Sequence, residues 1–169
     1  SGTSAAINNP LQGAGVAITV NNGNVVINST VTDKEFNYIL SGTVSNGSVK
    51  IYSDYKFNLV LNGVSITNST GPAINIQSSK KATLVAIAGT TNNFTDGVNY
   101  SSSSEDQKGT IFSEGQIIFS GTGIINVTGN NKHAICSDDY ISVGSGNINV
   151  LKAIKDGIHS NDYFSMSGG

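Results

Sequence analysis

Arginine and tryptophan are missing altogether from this chain of 169 residues, and cysteine and methionine occur once each. Without arginine, the nine basic residues are all lysine, and eleven acidic residues outnumber them for a formal charge of −2. That balance argues against nucleic acid as a partner, since nucleic-acid surfaces carry clustered Lys and Arg. The lone Cys136 cannot close an internal disulfide. Charged residues make up 12% of the chain, about half the usual share. No apolar run approaches the ~20 residues that cross a bilayer as a helix, so no membrane-spanning segment is expected. A removed targeting segment would leave no trace in what remains.

What fills the space is Gly, Ser, Thr and Asn, with Val and Ile as the main apolar types. That mixture favours strands and turns over helices. The length suits a single domain, taken here as residues 1–169.

A phrase recurs along the chain. Ile-x-Ser-x-x-x-apolar-x-apolar begins at Ile51, Ile76, Ile111, Ile135 and Ile158, at intervals of 25, 35, 24 and 23 residues. A weaker copy begins at Ile27, 24 residues before Ile51. The long interval holds a polar segment, residues 89–108, that reads as an inserted loop. Residues 1–50 read as N-terminal strands and a cap region, and 109–169 as regular rungs. Within each unit the apolar residues alternate, as in Ile117/Phe119, Ile141/Val143 and Phe164/Met166. A Gly-containing corner then leads to a second alternating run, Ile125/Val127 and Ile148/Val150. Short strands sharing one period of about two dozen residues describe a parallel β-helix, an all-β solenoid. A β-sandwich or meander also has short strands and Gly-rich turns, but it does not account for side-chain types recurring at one spacing. Crossover handedness predicts a right-handed coil of about 23–25 residues per rung.

Stacked rungs place equivalent residues about 4.8 Å apart. Phe57, Ala82, Ile117, Ile141 and Phe164 should form one core column, and Leu59, Leu84, Phe119, Val143 and Met166 another. Ser53, Ser78, Ser113, Ser137 and Ser160 predict an inward hydroxyl ladder. The following corner stacks Asp54, Ser79, Glu114, Asp138 and Asn161, with Asp139 beside Asp162. Carboxylates at that spacing repel by about 1 kcal/mol even in water. Splaying into solvent relieves this, and so does a bound cation; calcium, with six to eight oxygen ligands, suits such a set. The candidate metal ligands are Glu114, Asp138, Asp139, Asp156 and Asp162, with Asp96, Glu105 and Asp106 of the insert able to close a site from the side. Tyr140 and Tyr163 stack in the next column, where they could offer sugar rings an apolar face or simply stabilise the corner. Lys132 and Lys155 lie in a row that could attract anionic sugars. Asn126 and Asn149 sit on a strand face. His133 and His159 fall in different columns, and no fixed spacing pairs them.

Taken together, these features resemble a bacterial family of surface and secreted carbohydrate-binding β-helix proteins. The residues that carry the resemblance are the run from Leu61 to Ile74 (LNGVSITNSTGPAI) and the Ser- and acid-rich stretch from Tyr100 to Asp106. The Ile-x-Ser-Asp/Glu rungs and the Lys155-Asp156-Gly157-Ile158 step complete it, and the likeness extends from about Val16 to the end of the chain. One step earlier the sequence is Lys132-His133-Ala134-Ile135, without the Asp-Gly. The resemblance implies a pectate-lyase-like fold, calcium as a cofactor, and binding of plant-type or acidic polysaccharides. It also implies a secreted or cell-surface location, with lipid anchoring of a precursor. The family tends to have more rungs, so a truncated C-terminal end, open to self-association, is a further expectation.

Three functions follow as expectations. The first is non-catalytic polysaccharide binding, through Tyr140, Tyr163, Lys132, Lys155, Asn126 and Asn149, with no catalytic residue. The second is a calcium-dependent, pectate-type lyase, which would need a base of lowered pKa such as Lys155 or Lys132. The third is a structural, adhesin-like solenoid that binds protein.

Overall fold

Short alternating runs bury one side only by pairing, and a fixed period lets each run pair with its own equivalent. The computed structural model of the chain, which describes residues 4–169, has that architecture. Among the described residues there are strands and no helices. The chain winds through about six coils. In the first, β1 (Val16–Asn21) folds back antiparallel on β2 (Gly23–Ser29), and β3 (Phe36–Val44) follows. The second holds β4 (Gly47–Ser53) and the long β5 (Phe57–Thr67). The third holds β6 (Ile74–Ile76), β7 (Ala82–Ala86) and β8 (Thr91–Thr95). The fourth holds β9 (Gly109–Ser113), β10 (Ile117–Gly121) and β11 (Ile124–Thr128). The fifth holds β12 (His133–Ser137), β13 (Ile141–Val143) and β14 (Asn147–Lys152), and the sixth β15 (Ile158–Ser160) and β16 (Phe164–Met166).

Apart from β1 on β2, every pairing is parallel and joins one coil to the next. The first face runs β1-β2-β4-β6-β9-β12-β15. The second and third belong to one continuous sheet, because β5 spans both: its front half pairs with β7 and its back half with β8. The second face continues through β10, β13 and β16, and the third through β11 and β14.

The bend between those two faces is made by a column of glycines with positive φ: Gly42, Gly63, Gly89, Gly121 and Gly146. Only glycine adopts this backbone without strain. The column is not uniform. A Cβ on Gly42 would meet open space, whereas one on Gly121 would overlap the Ala86 carbonyl oxygen of the coil beneath.

Inside, Phe57–Ala82–Ile117–Ile141–Phe164 and Leu59–Leu84–Phe119–Val143–Met166 stack as two core columns. The third face adds Ile66, Phe94, Val127 and Val150 in register. Asn92 also points inward and is fully buried, yet it is satisfied: its oxygen accepts from Val64 N–H and its amide donates to Thr90 and to the Ile124 carbonyl. The serine ladder is inward too, and it bonds the corner backbone. Ser78, Ser113 and Ser137 each accept an amide two residues on, while Ser137 donates to the Gly115 carbonyl at 2.9 Å.

One column departs from the sequence alignment. Ile27, Ile51 and Ile76 stack as expected, but Ile111 lies on Ile74, and Ser113 on Ile76. From Ile111 the column resumes through Ile135 and Ile158. A slip of two residues keeps every side chain on its own face, so the core tolerates it. The boundaries also differ. Parallel coil-to-coil pairing begins at β2, well before the regular rungs expected from 109 on, and Thr91–Thr95 is a third-face strand, so the irregular insert is 96–108 rather than 89–108.

The uneven glycine column yields a test. Gly42→Ala should cost about 1 kcal/mol, the backbone preference alone. Gly121→Ala should cost clearly more, since the Ala86 backbone must also move. Urea unfolding of both variants compares them; equal costs would refute the close approach.

Candidate functional site

The insert lies across the first face, and ionic contacts hold it there. Glu105 takes Lys50 at 2.6 Å and accepts a short bond from the Tyr52 hydroxyl. Gln77 donates to the Asp106 carbonyl oxygen at 2.9 Å, and Lys132 to that of Gln107 at 2.8 Å. Lys108 bridges Asp106 at 2.8 Å and Asp138 at 2.6 Å. At the start of the insert, Asp96 is buried and accepts from Tyr100 at 2.6 Å and from the Asn130 amide. Asp96, Glu105 and Asp106 thus anchor the insert. Burial, then the Glu105 carboxylate, push the Tyr52 hydroxyl up to about 12. Burial alone would lower the Lys108 pKa, but Asp106 and Asp138 outweigh it and hold the ammonium charged. Asn75 and Phe112 are buried on this covered face.

At the first corner the acidic column is met by one lysine from the insert and by neutral donors. Asp138 pairs with Lys108 and accepts from Asn161 at 3.3 Å; Asp139 takes Gln116 and the Tyr140 amide. Asp162 stacks through its backbone N–H on the Asp139 carbonyl. Glu114 is the exception, with its carboxyl raised above the usual range by burial and then by Asp106, Asp138 and Glu105. Among the described residues, no three carboxylates here converge as a ligand set. Asp156, placed in the same candidate set, lies with the two histidines instead.

The six candidate sugar contacts fall in separate places. Tyr140 and Tyr163 stack on each other at 4.7 Å and 8° at the corner. Rings stacked along the coil axis present edges and hydroxyls outward, and each spends a face on its neighbour. Asn126 and Asn149 lie on the third face in a continuous ladder: Asn149 donates to Asn126, Asn126 to Asn93 and Asn93 to Ser65, each at 2.9 Å. Beside it runs a hydroxyl column of Thr67, Thr95 and Thr128. Lys132 sits at the rim of a polar hollow under the insert, lined by Tyr100, Ser103, Glu105 and Asn131. Lys155 follows Lys132 one coil later, its amide donating to the Lys132 carbonyl.

His133 and His159 were the residues that column spacing left apart. The amides of Ala134 and Ile135, adjacent in sequence, both donate to the next coil, to Asp156 and Gly157 oxygens. That bulge breaks the alternation, so His133 comes out against His159, rings stacked at 4.4 Å, with Asp156 between their Nδ1 atoms. Burial, then the neighbouring His159, hold the His133 imidazole below its usual pKa. Cys136 beneath is buried, its thiol pushed up to about 11 by that burial and by Asp138, and is no nucleophile.

A family model for carbohydrate-binding domain-containing proteins matches residues 21–169. No curated protein matches the chain. A solved structure described as the polysaccharide lyase-like protein from C. thermocellum, in a gadolinium derivative, is similar at 28% identity and a TM-score of 0.68. The match covers 78% of this chain and 53% of that one, so the chain spans about half the length of its structural relative.

The raised Glu114 pKa sets a pH dependence. A carboxyl raised on folding favours the native state below its unfolded value, near 4.5, and loses that contribution as pH rises through the folded value. Glu114→Gln should therefore stabilise the protein at pH 7, by ~0.5 kcal/mol or less after solvent screening, and leave it unchanged below pH 4.5. Urea midpoints at the two pH values measure the difference. A variant equally stabilised at both would refute the electrostatic cause.

Proposed function

Because the chain belongs to the family of carbohydrate-binding domain-containing proteins, we propose that it binds polysaccharide without cleaving it, along its third face. The observation that carries this reading is the amide ladder Asn93–Asn126–Asn149 beside the hydroxyl column Thr67–Thr95–Thr128. Asn93 and Asn126 each spend one N–H and one lone pair on the ladder, Asn149 spends one N–H, and the remaining donors and acceptors are kept for a ligand. The two columns are uncharged and repeat at the inter-strand spacing of about 4.8 Å, which suits an extended chain of hydroxyl-rich rings. The first face, by contrast, is taken up by the insert. Contacts of this kind are weak one by one and add along the polymer.

The sugars are plant-type polysaccharides, neutral or acidic; Lys132 and Lys155 favour an acidic chain that crosses from the third face toward the insert. Calcium belongs to this reading at the first corner, where Glu114 lacks a counter-ion. The related lyase-like protein was solved as a gadolinium derivative, and gadolinium is a hard cation that takes oxygen donors as calcium does. A secreted or cell-surface setting fits a polymer too large to enter a cell. Self-association through the sixth coil, where Phe164 and Met166 are exposed, completes the proposal.

The lyase-like name of that relative favours a second reading, polysaccharide cleavage. Against it, of the two candidate bases Lys132 is engaged as a donor to the Gln107 carbonyl oxygen, which leaves Lys155 as the base that cleavage would need. Release of unsaturated sugar from pectate with calcium would establish cleavage and overturn the non-catalytic reading.

Affinity electrophoresis in gels containing cellulose derivatives, xylan or polygalacturonate tests the binding face. Retardation by at least one polymer is expected, weakened severalfold in an Asn126→Ala/Asn149→Ala double variant and retained in Tyr140→Ala/Tyr163→Ala. The reverse ranking moves the site to the tyrosine corner, and no retardation at all removes the binding role. For calcium, saturation at about 100 times the dissociation constant should add ~2.7 kcal/mol of stability, and Glu114→Gln should abolish the gain. Melting curves unchanged by calcium would exclude the ion.

A further inference from the structure

We propose that His133, Asp156 and His159 form a binding site for a transition-metal ion, with zinc the best match. The site is separate from the third face and from the acidic corner, and it does not depend on the polysaccharide reading.

The donor set comes first. Two imidazole nitrogens and one carboxylate oxygen suit zinc and its neighbours, whereas calcium takes oxygen donors in larger number. The distances come next. Asp156 Oδ2 lies 3.2 Å from His133 Nδ1 and 3.0 Å from His159 Nδ1, and the three atoms lie within 4.8 Å of one another. Ligands about 2.0–2.1 Å from a tetrahedral ion are separated from each other by ~3.3 Å. The two measured separations already approximate edges of that tetrahedron.

Protonation also favours the arrangement. The Asp156 amide donates to His133 Nδ1 at 3.2 Å, so that nitrogen is unprotonated and its one lone pair would exchange the amide for the ion. His159 Nδ1 lies 3.0 Å from Asp156 Oδ2, so the two donors already face each other. The scaffold supplies rigidity. His133 leads β12, His159 lies in β15, and the parallel pairing of those strands fixes the spacing of the two rings. His133 is largely buried and His159 and Asp156 are accessible, so an ion can enter and keep solvent in its open positions.

Lys132 and Lys155 act on His133 through space and oppose any cation. Calcium would have a single carboxylate to offset them, whereas zinc also gains two nitrogen ligands. The lysines therefore sharpen the preference for zinc while lowering its affinity. A bound ion would tie the fifth coil to the sixth.

Isothermal titration of the full chain with zinc chloride, in buffer containing excess calcium, tests the site, with cobalt(II) absorption as a second readout. One zinc per chain is expected, and tetrahedral cobalt bands in the visible. H159Q and D156N should each weaken zinc by at least about tenfold, the loss that outer-shell partners alone can cause. K155Q should strengthen it. Circular dichroism confirms that each variant is folded. Absence of zinc binding, affinity unchanged in H159Q, or displacement of the ion by calcium would each overturn the assignment.

Discussion

In the stacked strands of this molecule a side chain has an equivalent position directly above or below it, because the coils are joined by parallel backbone pairing. That single constraint decides what is cheap and what is costly. Apolar residues gain by it, since a column of Leu59, Leu84 and Phe119 is dry on both sides. Amides gain too, because asparagine both donates and accepts and so can pair with its own kind. Like charges lose, at about 1 kcal/mol per neighbouring pair in water. The composition of the chain, rich in Asn, Ser and Thr and poor in charge, follows from which side chains can stand on themselves.

The acidic corner is where the sequence goes against this rule, and the structure shows how the cost is contained. The runs of acids are short, Glu114 against Asp138 and Asp139 against Asp162, and neutral amides bound them: Asn161 stands over Asp138, and Gln116 reaches Asp139. Lys108, delivered from the insert, then clips Asp106 to Asp138. The insert thus does more than fill a loop. It brings lysine to a corner whose own column holds acids, and its Glu105 in turn neutralises Lys50. At Glu114 burial, and after it the charges of Asp106, Asp138 and Glu105, raise the carboxyl.

Much of the fold was legible in the sequence because stacking turns a one-dimensional period into a column. The two core columns from Phe57 and Leu59 follow the expected register through the sixth coil. The offset that seats Ile111 on Ile74 escaped notice for a physical reason: alternation has period two, so a two-residue slip leaves the inside-outside pattern intact. The histidine cluster escaped for the opposite reason. A bulge at Ala134–Ile135 breaks the alternation, and column arithmetic then assigns His133 and His159 to different positions. The signal available was the Lys-x-x-Ile step itself, whose change from Asp156-Gly157 to His133-Ala134 puts an imidazole above which the next coil places a carboxylate. The sugar-contact candidates were identified by residue type, and type alone could not say that Tyr140 and Asn126 occupy different sides of the coil.

The distribution of charge over the three faces narrows where a polymer can lie. Insert, acids and histidines gather on the first face and its adjoining corners, while the third face carries uncharged Asn and Thr columns up to the fifth coil, where Lys152 follows Thr128. A surface held together by ion pairs weakens as salt rises, but an amide ladder does not. Binding of a neutral polysaccharide along the proposed third face should therefore be insensitive to ionic strength, whereas an acidic chain that reaches Lys132 and Lys155 should be released by salt. Separating the two also lets each coil extend the Asn column without adding repulsion, as Asn149 does on Asn126. The same stacking rule that penalises charge in a column thus makes an uncharged, hydrogen-bonding face the one surface this fold can lengthen freely.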